Sequence, residues 1–234
     1  MSKRGLPSVE TAGLHHGNLR AGMAGLGGAL TLFLLYTAGL LEGLDHAGLS
    51  LMQGLRSESL TKRVLEISAL GSLPALFLIG LVSVAYLYAL GEQKTTRRIF
   101  FIMVAAEVLA FTAKHLVARP RPEDFFAPGA ADTIGSNYLV SFPSGHSMMS
   151  AVMYLSVALL LCKAVEGRKP RLVLTCTAIA LILAIGLSRI YLGVHNPSDV
   201  LAGWLGGTGW TLAWFAIFSR RDRLAAADPE PAAD

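Results

Sequence analysis

The sequence has little charge and almost no cysteine. Charged residues make up 15% of the 234 amino acids, well below the roughly 25% of an average soluble domain. Apolar residues make up 53%, and this balance excludes an ordinary soluble globular protein and indicates a membrane protein with several spans. The two cysteines, Cys162 and Cys176, lie in or beside apolar segments. We interpret them as packing residues and exclude a disulfide scaffold.

A concentrated run of basic residues is also missing. The formal net charge of +4 and the pI of about 9.2 would by themselves be compatible with a nucleic-acid partner. The basic residues lie instead between apolar segments, where the signals of membrane topology are found. We therefore expect a membrane as the surroundings of the protein and no nucleic-acid partner.

Six apolar segments predict an all-α protein with six transmembrane helices. They are residues 21–41, 67–90, 99–113, 147–162, 172–187 and 200–218. Three of them approach or reach the ~20 residues that a span needs, and the third and fourth would have to extend into neighbouring charged residues. The first is longer than the core of a signal peptide, so we expect a span. We take residues 1–20 as a cytoplasmic segment, 21–219 as one membrane domain and 220–234 as a disordered cytoplasmic tail.

The distribution of Lys and Arg predicts the orientation. If the N-terminus is cytoplasmic and six helices follow, the cytoplasmic segments hold 13 of the 20 Lys and Arg residues and the outer segments hold seven. Such an excess is typical of cytoplasmic segments. We expect both termini inside, in a bacterial inner membrane, with residues 42–66 and 115–143 on the periplasmic face. Residues 42–66 mix leucines with charge, which indicates an amphipathic helix in the membrane interface.

Three short polar clusters interrupt the apolar chain, all on the predicted outer face. They are Lys114 with Arg121 and Pro122; then Pro143, Ser144, Gly145 and His146; then Ser188 and Arg189 with His195 and Asp199. Three fixed cations can bind a phosphoryl group, which carries negative charge on three oxygens during transfer. Free amides at a helix N-terminus would add an anion site, and a glycine lets the backbone approach the ligand.

The two histidines of the clusters can divide the chemistry between them. His195 and Asp199 are four residues apart, which on a helix places them on one face. The carboxylate would then fix the tautomer of a nucleophilic imidazole. His146 is the candidate general acid for the leaving oxygen, and Ser188 would bind a phosphate oxygen or orient a neighbour. The sequence has no cluster of metal ligands, so we expect neither a metal nor another cofactor.

Together the clusters resemble the three-part signature of the type 2 phosphatidic acid phosphatase family. The order and spacing of Lys-x6-Arg-Pro, Pro-Ser-Gly-His and Ser-Arg-x5-His-x3-Asp agree at all eleven positions, and six spans resemble its membrane branch. The resemblance implies that His195 forms a phosphohistidine, that Asp199 supports it and that His146 protonates the leaving group. It also implies a phosphate site made of Lys114, Arg121, Ser144, Gly145 and Arg189, with support from Ser188, Pro122 and Pro143.

We therefore expect a metal-independent membrane phosphatase that removes the terminal phosphate from a lipid phosphate or diphosphate. Phosphatidylglycerol phosphate, phosphatidic acid, undecaprenyl diphosphate and lipid A phosphate are the candidate substrates. Two alternatives stay open. The same phosphohistidine would make the protein a lipid phosphotransferase if an alcohol accepted the group, and a non-catalytic lipid-binding or translocating protein is the other alternative. The sequence carries no signal for the preferred lipid or for the oligomeric state.

Two ionisable residues near the clusters stand outside the signature. Glu107 lies within the third span, seven residues before Lys114 and so on nearly the same helical face. An acid inside a span is either a functional group or the partner of a neighbour in the bundle. For Arg119, contact with a lipid headgroup and exposure at the surface are both open. The pattern Gly203-x-x-x-Gly207 predicts close helix packing, within the chain rather than between two chains.

Overall fold

The described part of the chain folds into eight α-helices. The structure, a computed structural model, describes residues 12–134 and 140–227, with side chains from residue 19 onward. No β-strand occurs in these ranges, which confirms the predicted all-α class. The helices are α1 (Ala12–Thr37), α2 (Glu42–Gly54), α3 (Glu58–Ala69), α4 (Leu73–Ala89), α5 (Gln93–Val117), α6 (Gly145–Ala164), α7 (Arg168–Tyr191) and α8 (Pro197–Ala227).

Five of these helices, α1, α5, α6, α7 and α8, are long and apolar enough to cross a membrane. The helices α3 and α4 pass the same test together but meet at an angle of 41°, which fits either a sixth, broken span or a re-entrant loop. With the bent pair counted as one span, the total agrees with the six predicted spans. As expected, the third and fourth spans extend into the polar clusters, because α5 continues to Val117 and α6 begins at Gly145.

The region between α1 and α5 differs from the prediction. Residues 42–66 do not form one interfacial helix, and residues 67–90 do not form one straight span. Ser57 and Ser72 begin new helices here, since the side chain of each accepts a hydrogen bond from the backbone N–H three residues later. A serine at this position satisfies an amide that has no partner in the first helical turn. One helix therefore ends and another begins at each serine, although the apolar pattern of the sequence continues across it.

The last four helices run antiparallel, and this brings the three polar clusters to one end of the bundle. The helices α5 and α7 end there, and α6 and α8 begin there. The helix α6 packs against α5, α7 and α8. A Cβ atom on Gly203 would lie 2.7 Å from the carbonyl oxygen of Ser144, and one on Gly207 would be even closer to that of Met148. The two glycines therefore let α8 contact α6 within the chain, as predicted.

Ion pairs join α5 to α8 at the opposite end. Arg98 donates two hydrogen bonds to the Asp222 carboxylate, at 2.6 and 2.7 Å, and Lys94 Nζ lies 2.5 Å from the same carboxylate. This anchor lies in the last turns of α8, which continues to Ala227. Residues 220–227 are therefore helical, and the prediction of a disordered tail was wrong for them.

The predicted terminal segments are only partly described. The helix α1 begins at Ala12, inside the segment 1–20 that was assigned to the cytoplasm. Residues 1–11 and 228–234, which hold the rest of both predicted terminal segments, lie outside the described residues. Residues 135–139 of the long loop before α6 lie outside them as well. The described part of this loop contains two short 3-10 turns, Glu123–Phe125 and Ala131–Thr133.

Candidate active site

The three polar clusters surround one cavity at the end of the bundle where α6 and α8 begin. Its volume is about 520 Å³. Six of the predicted site residues line it, among them both histidines and all three cations: Lys114, Arg121, Gly145, His146, Arg189 and His195. The fold thus brings the chemically active members of the three clusters to one space.

Arg189, in the last turn of α7, is held by neutral partners. Its Nη1 donates to Ser68 Oγ at 2.6 Å and to Thr133 Oγ1 at 2.9 Å. The side chain is almost fully buried. The sequence does not predict these contacts, since Ser68 and Thr133 are single hydroxyl residues far away in the chain and form no motif with Arg189. Their bonds fix the direction of the guanidinium and leave its charge uncompensated.

Arg121 and Lys114 supply the other two cations of the cavity. Arg121 Nη1 donates to the carbonyl oxygen of Val194 and lies 3.1 Å from His195 Nε2. Lys114, in the last turn of α5, reaches the start of α6, where a Cβ atom on Gly145 would lie 3.5 Å from Lys114 Cε. All three cations of the cavity are at most 8% exposed. Burying three like charges together is costly without an anion, so the cavity suits an anionic ligand.

Hydrogen bonds fix the tautomer of His195. Because a guanidinium has only donors, Nε2 of His195 accepts from Arg121, and the ring proton is on Nδ1. Nδ1 lies 3.5 Å from Asp199 Oδ2, longer than a formed hydrogen bond but within the distance that a substrate complex can shorten. The lone pair of Nε2 is therefore on the side of the ring away from Asp199, toward Arg121 and the cavity.

His195 and Asp199 meet for a different reason from the predicted one. The helix α8 begins at Pro197, so His195 precedes the helix and only Asp199 is helical. The residue before a proline is disfavoured in the α conformation, so the helix does not extend back to Asn196. The N–H of Asn196 instead donates to Asp199 Oδ2 at 2.9 Å. This turn folds His195 back over the start of α8.

The surroundings of His195 keep its ring neutral. Burial lowers the pKa of His195 well below its usual value, and the charges of Arg121, Lys114 and Arg189 lower it further. Both causes disfavour the imidazolium, since the ring has lost its water and the cations repel another positive charge. His195 is therefore uncharged at neutral pH, the form whose lone pair can attack phosphorus.

The start of α6 offers backbone donors rather than the hydroxyl of Ser144. Ser144 is the N-cap, and its Oγ accepts from the N–H of Ser147 at 3.4 Å and from Ser147 Oγ at 3.0 Å. It is fully buried and does not line the cavity. Gly145 and His146 follow and do line it. Their amides belong to the end of the helix that attracts anions.

Four further predicted residues lie behind the wall of the cavity and do not line it: Pro122, Pro143, Ser188 and Asp199. The hydroxyl of Ser188 donates to the carbonyl oxygen of Ile185 at 2.6 Å, within its own helix. That bond directs the hydroxyl along α7 and not toward a phosphate in the cavity. Of the two predicted roles of Ser188, this geometry gives no support to the binding of a phosphate oxygen, and the other role, orienting a neighbour, stays a prediction.

A buried group of charges lies behind His195, and no motif in the sequence predicts it. Arg119 donates from Nη1 to Asp199 Oδ1 at 2.8 Å and from Nη2 to Asp45 Oδ2 at 2.7 Å. Arg119 is 7% exposed, so both expected environments, a lipid headgroup and the protein surface, were wrong. Asp45 lies in α2, within the segment that was interpreted as interfacial. No motif links it to Arg119, 74 positions along the chain.

The cavity continues from the cations along α5 toward the middle of the bundle. Glu107 lines this part, and it is two helical turns from Lys114, about 10 Å along the helix axis. The remaining wall is largely apolar and includes Leu73, Leu76, Phe111 and Met149. A ligand with a charged group at one end and an apolar body fits this arrangement.

The charges of the cavity wall are those of an anion site. Two carboxylates, Glu107 and Asp132, line the cavity together with the three cations, and Asp132 is exposed. Within the residues that the structure describes, no group of three or more His, Cys, Asp or Glu side chains is placed to hold a metal ion. The end of the cavity that holds Lys114, Arg121 and Arg189 is therefore dominated by positive charge.

Fold and cavity together define a class of protein, an all-helical integral membrane protein with a cavity lined by three buried cations at one end of its bundle. The profile of the PAP2 superfamily matches residues 95–223, more than half of the chain, and this region contains all three polar clusters. The chain belongs to the PAP2 superfamily. This finding confirms the resemblance that the clusters predicted.

Several known proteins are similar to the chain. The lipid A 1-phosphatase of Rhizobium johnstonii is 30% identical over 191 residues, which cover 80% of this chain and 63% of that protein. The undecaprenyl-diphosphatase of Sulfolobus acidocaldarius is 34% identical over 131 residues, 54% of this chain and 56% of that protein. Both matches span less than two thirds of the relative's own length.

A solved structure shares the fold. It is that of a transmembrane PAP2-type phosphatidylglycerolphosphate phosphatase from Bacillus subtilis, with a TM-score of 0.69 and 23% sequence identity. The similarity covers 85% of this chain and 96% of that one. The helical bundle seen here is therefore the fold of a known transmembrane protein.

Proposed function

We propose that the protein is an integral membrane phosphatase that removes the terminal phosphate from a lipid phosphate or diphosphate. One observation carries the proposal: His195 shares a cavity with three buried cations and the N-terminus of α6. A phosphoryl group bound by Lys114, Arg121 and Arg189 would place its phosphorus beside the Nε2 of His195. The names of the relatives support the proposal, since each describes a phosphatase or diphosphatase with a lipid substrate.

In the first step, the lone pair of His195 Nε2 attacks phosphorus as the bond from phosphorus to the leaving oxygen breaks. Arg121 donates to this nitrogen and would donate to a phosphate oxygen of the bound substrate instead. The carboxylate of Asp199 stabilises the positive charge that develops on the ring. His146 gives its proton to the leaving oxygen, so the dephosphorylated lipid departs with that oxygen protonated.

In the second step, His146 takes a proton from water, and the water oxygen attacks the phosphorus of the phosphohistidine. The nitrogen–phosphorus bond breaks, which restores neutral His195 and releases inorganic phosphate. The cations stabilise the charge on the phosphoryl oxygens in both steps. Since they supply the positive charge that a metal ion supplies in other phosphatases, we expect a chelator to leave activity largely unchanged.

The apolar part of the cavity favours a substrate with a lipid body. Phosphatidylglycerol phosphate, phosphatidic acid, undecaprenyl diphosphate and lipid A phosphate are the candidates. We propose residues 21–219 as the catalytic membrane domain, with the cavity on the periplasmic face of a bacterial inner membrane. The excess of Lys and Arg in the segments at the other end of the bundle supports this orientation.

Release of inorganic phosphate tests the proposal. The purified protein in mixed micelles is given the four candidate lipids, and we expect release from at least one of them and none from the variant His195→Ala. Transfer of the phosphoryl group to an added alcohol, with little inorganic phosphate, would show a phosphotransferase. If the intact protein neither releases nor transfers phosphate with any of the four lipids, it is not the proposed enzyme, and the lipid-binding alternative is favoured.

A further inference from the structure

A continuous group of buried polar side chains lies directly behind His195. We call it the support network, and it consists of Asp45, Arg119, Ser198 and Asp199. The Asp45 carboxylate accepts from the backbone N–H of Ser198 at 2.9 Å, from Ser198 Oγ at 2.7 Å and from Arg119 Nη2 at 2.7 Å. Arg119 Nη1 donates to Asp199 Oδ1 at 2.8 Å and to Ser198 Oγ at 2.7 Å. None of its four members is more than 7% exposed.

Three parts of the fold meet in the support network. Asp45 comes from α2, Arg119 from the loop after α5, and Ser198 and Asp199 from the first turn of α8. The Asp45 carboxylate therefore binds the start of α8, where unpaired amides attract a negative charge. The guanidinium of Arg119 also packs over the ring of Tyr36 in α1, 4.4 Å from its centroid. The bond from Arg119 restricts the position of Asp199 directly, and the other contacts restrict the positions of Arg119 and of the first turn of α8.

The network determines what Asp199 can offer to His195. Oδ1 of Asp199 is bound by Arg119, and this leaves Oδ2 to face His195 Nδ1 at 3.5 Å. Because Asp45 binds the other nitrogen of the same guanidinium, the single positive charge of Arg119 is shared between two carboxylates. The two carboxylates and the one guanidinium together therefore carry one net negative charge, and that charge is what stabilises an imidazolium or a phosphohistidine beside Asp199.

We infer that Asp45 and Arg119 are positioning residues for the nucleophile, and that α2 supports the active site from behind the cavity wall. The inference rests on the proposed function. Asp45 lies outside residues 95–223, the region that the family profile matches, and no polar cluster of the sequence includes it. Asp45 acts through Arg119 and Asp199 and does not touch the cavity. Its effect is therefore expected on the chemical step and not on phosphate binding.

The variant Asp45→Asn tests the inference. It keeps the shape of the side chain and removes its charge, so the positive charge of Arg119 acts on Asp199 alone. The negative charge that Asp199 offers to His195 is then weaker. We expect kcat to fall about 10- to 100-fold, as for other residues that orient a catalytic group, with KM within about threefold. Ser198→Ala keeps every charge of the network and should reduce kcat by less than Asp45→Asn does.

Glu42→Gln is the matched control, because it removes one charge from the exposed surface of the same helix and should leave kcat unchanged. Rates are taken per amount of monodisperse protein from gel filtration, which removes misfolded material. If Asp45→Asn matches Glu42→Gln within twofold, or if it changes KM alone, the inference is wrong although the phosphatase proposal stands. If the unmodified protein is inactive on the lipid panel, the proposed function fails, and the inference fails with it.

Discussion

At the scale of single residues, the buried arginines Arg119 and Arg189 have opposite electrostatic surroundings. Arg119 lies between two carboxylates, Asp45 and Asp199, whereas Arg189 is held by the hydroxyls of Ser68 and Thr133. The first is therefore neutralised within the protein, and the second keeps its charge for a ligand. Both are fixed before substrate binds, so neither has to reorganise when charge develops in the transition state.

The two histidines are expected to respond differently to the leaving group. His195→Ala removes the proposed nucleophile and should abolish turnover of every substrate. His146→Ala should slow the hydrolysis of an alkyl lipid phosphate by about 100-fold or more, because the alkoxide leaves unprotonated. In a single turnover, the same variant should lose much less of its rate of leaving-group release from an aryl phosphate such as p-nitrophenyl phosphate, whose leaving group needs no proton. Because His146 also activates water in the second step, the two substrates are compared by this first step alone, and equal losses of it would contradict the acid role of His146.

Acid should destabilise the fold through His195. The unfolded chain binds a proton at this residue near its ordinary pKa of about 6.5, whereas burial and the neighbouring cations lower the pKa of His195 in the folded protein. Its contribution to stability is therefore complete above pH ~6.5 and is lost as the pH falls toward the lower, folded value. As the pH is lowered from 7 to 5, the thermal unfolding midpoint in detergent should decrease, and it should decrease less in His195→Gln. If the unfolding midpoints of the unmodified protein and of His195→Gln decrease equally with pH, the lowered pKa of His195 is contradicted.

At the scale of secondary-structure elements, the break between α3 and α4 shapes the cavity. It places Ser68 against Arg189, and it places Gly71 so close to α6 that a Cβ atom there would lie 3.2 Å from Cδ2 of His146. Tyr154 of α6 donates to the carbonyl oxygen of Leu70 at 2.9 Å and so holds the break in place. A straight span over residues 67–90 would remove these contacts.

The helix α5 places an acid along the path of the substrate. With a phosphate beside Lys114, the next part of the substrate lies toward Glu107, which lines the same cavity. A carboxylate there repels a second phosphate, by ~2 kcal/mol at 8 Å with an effective dielectric constant of 20. We expect Glu107→Gln to raise the ratio of kcat/KM for a diphosphate over a monophosphate threefold to tenfold.

A matched substitution distinguishes this local effect from a general change of charge. Glu166→Gln removes one exposed carboxylate at the opposite end of the bundle, between α6 and α7, and should leave the ratio of the two substrates unchanged. If Glu107→Gln also leaves it unchanged, or lowers it, Glu107 has no influence on the second phosphate.

At the scale of the whole molecule, the sequence predicts what depends on composition and local order, and misses what depends on tertiary contact. The number of spans follows from hydropathy, and the two histidines and three cations follow from short motifs. The support network does not, because Asp45 meets Ser198 across 153 positions and nothing near Asp45 in the chain marks it as buried. The pairing of His195 with Asp199 was expected from helical spacing, but the turn at Asn196 produces it.

The antiparallel order of the last four helices makes orientation a property of the whole bundle, so two labelled positions determine it. Asp124 is exposed in the loop at the cavity end, and Glu166 is exposed at the other end. In a background in which Cys162 and Cys176 are replaced by alanine, a membrane-impermeant maleimide should label Asp124→Cys in intact cells. It should label Glu166→Cys only after the membrane is permeabilised, since the segments at that end carry most of the Lys and Arg. The reverse pattern would place the cavity on the cytoplasmic side, and the substrate would then have to come from the inner leaflet.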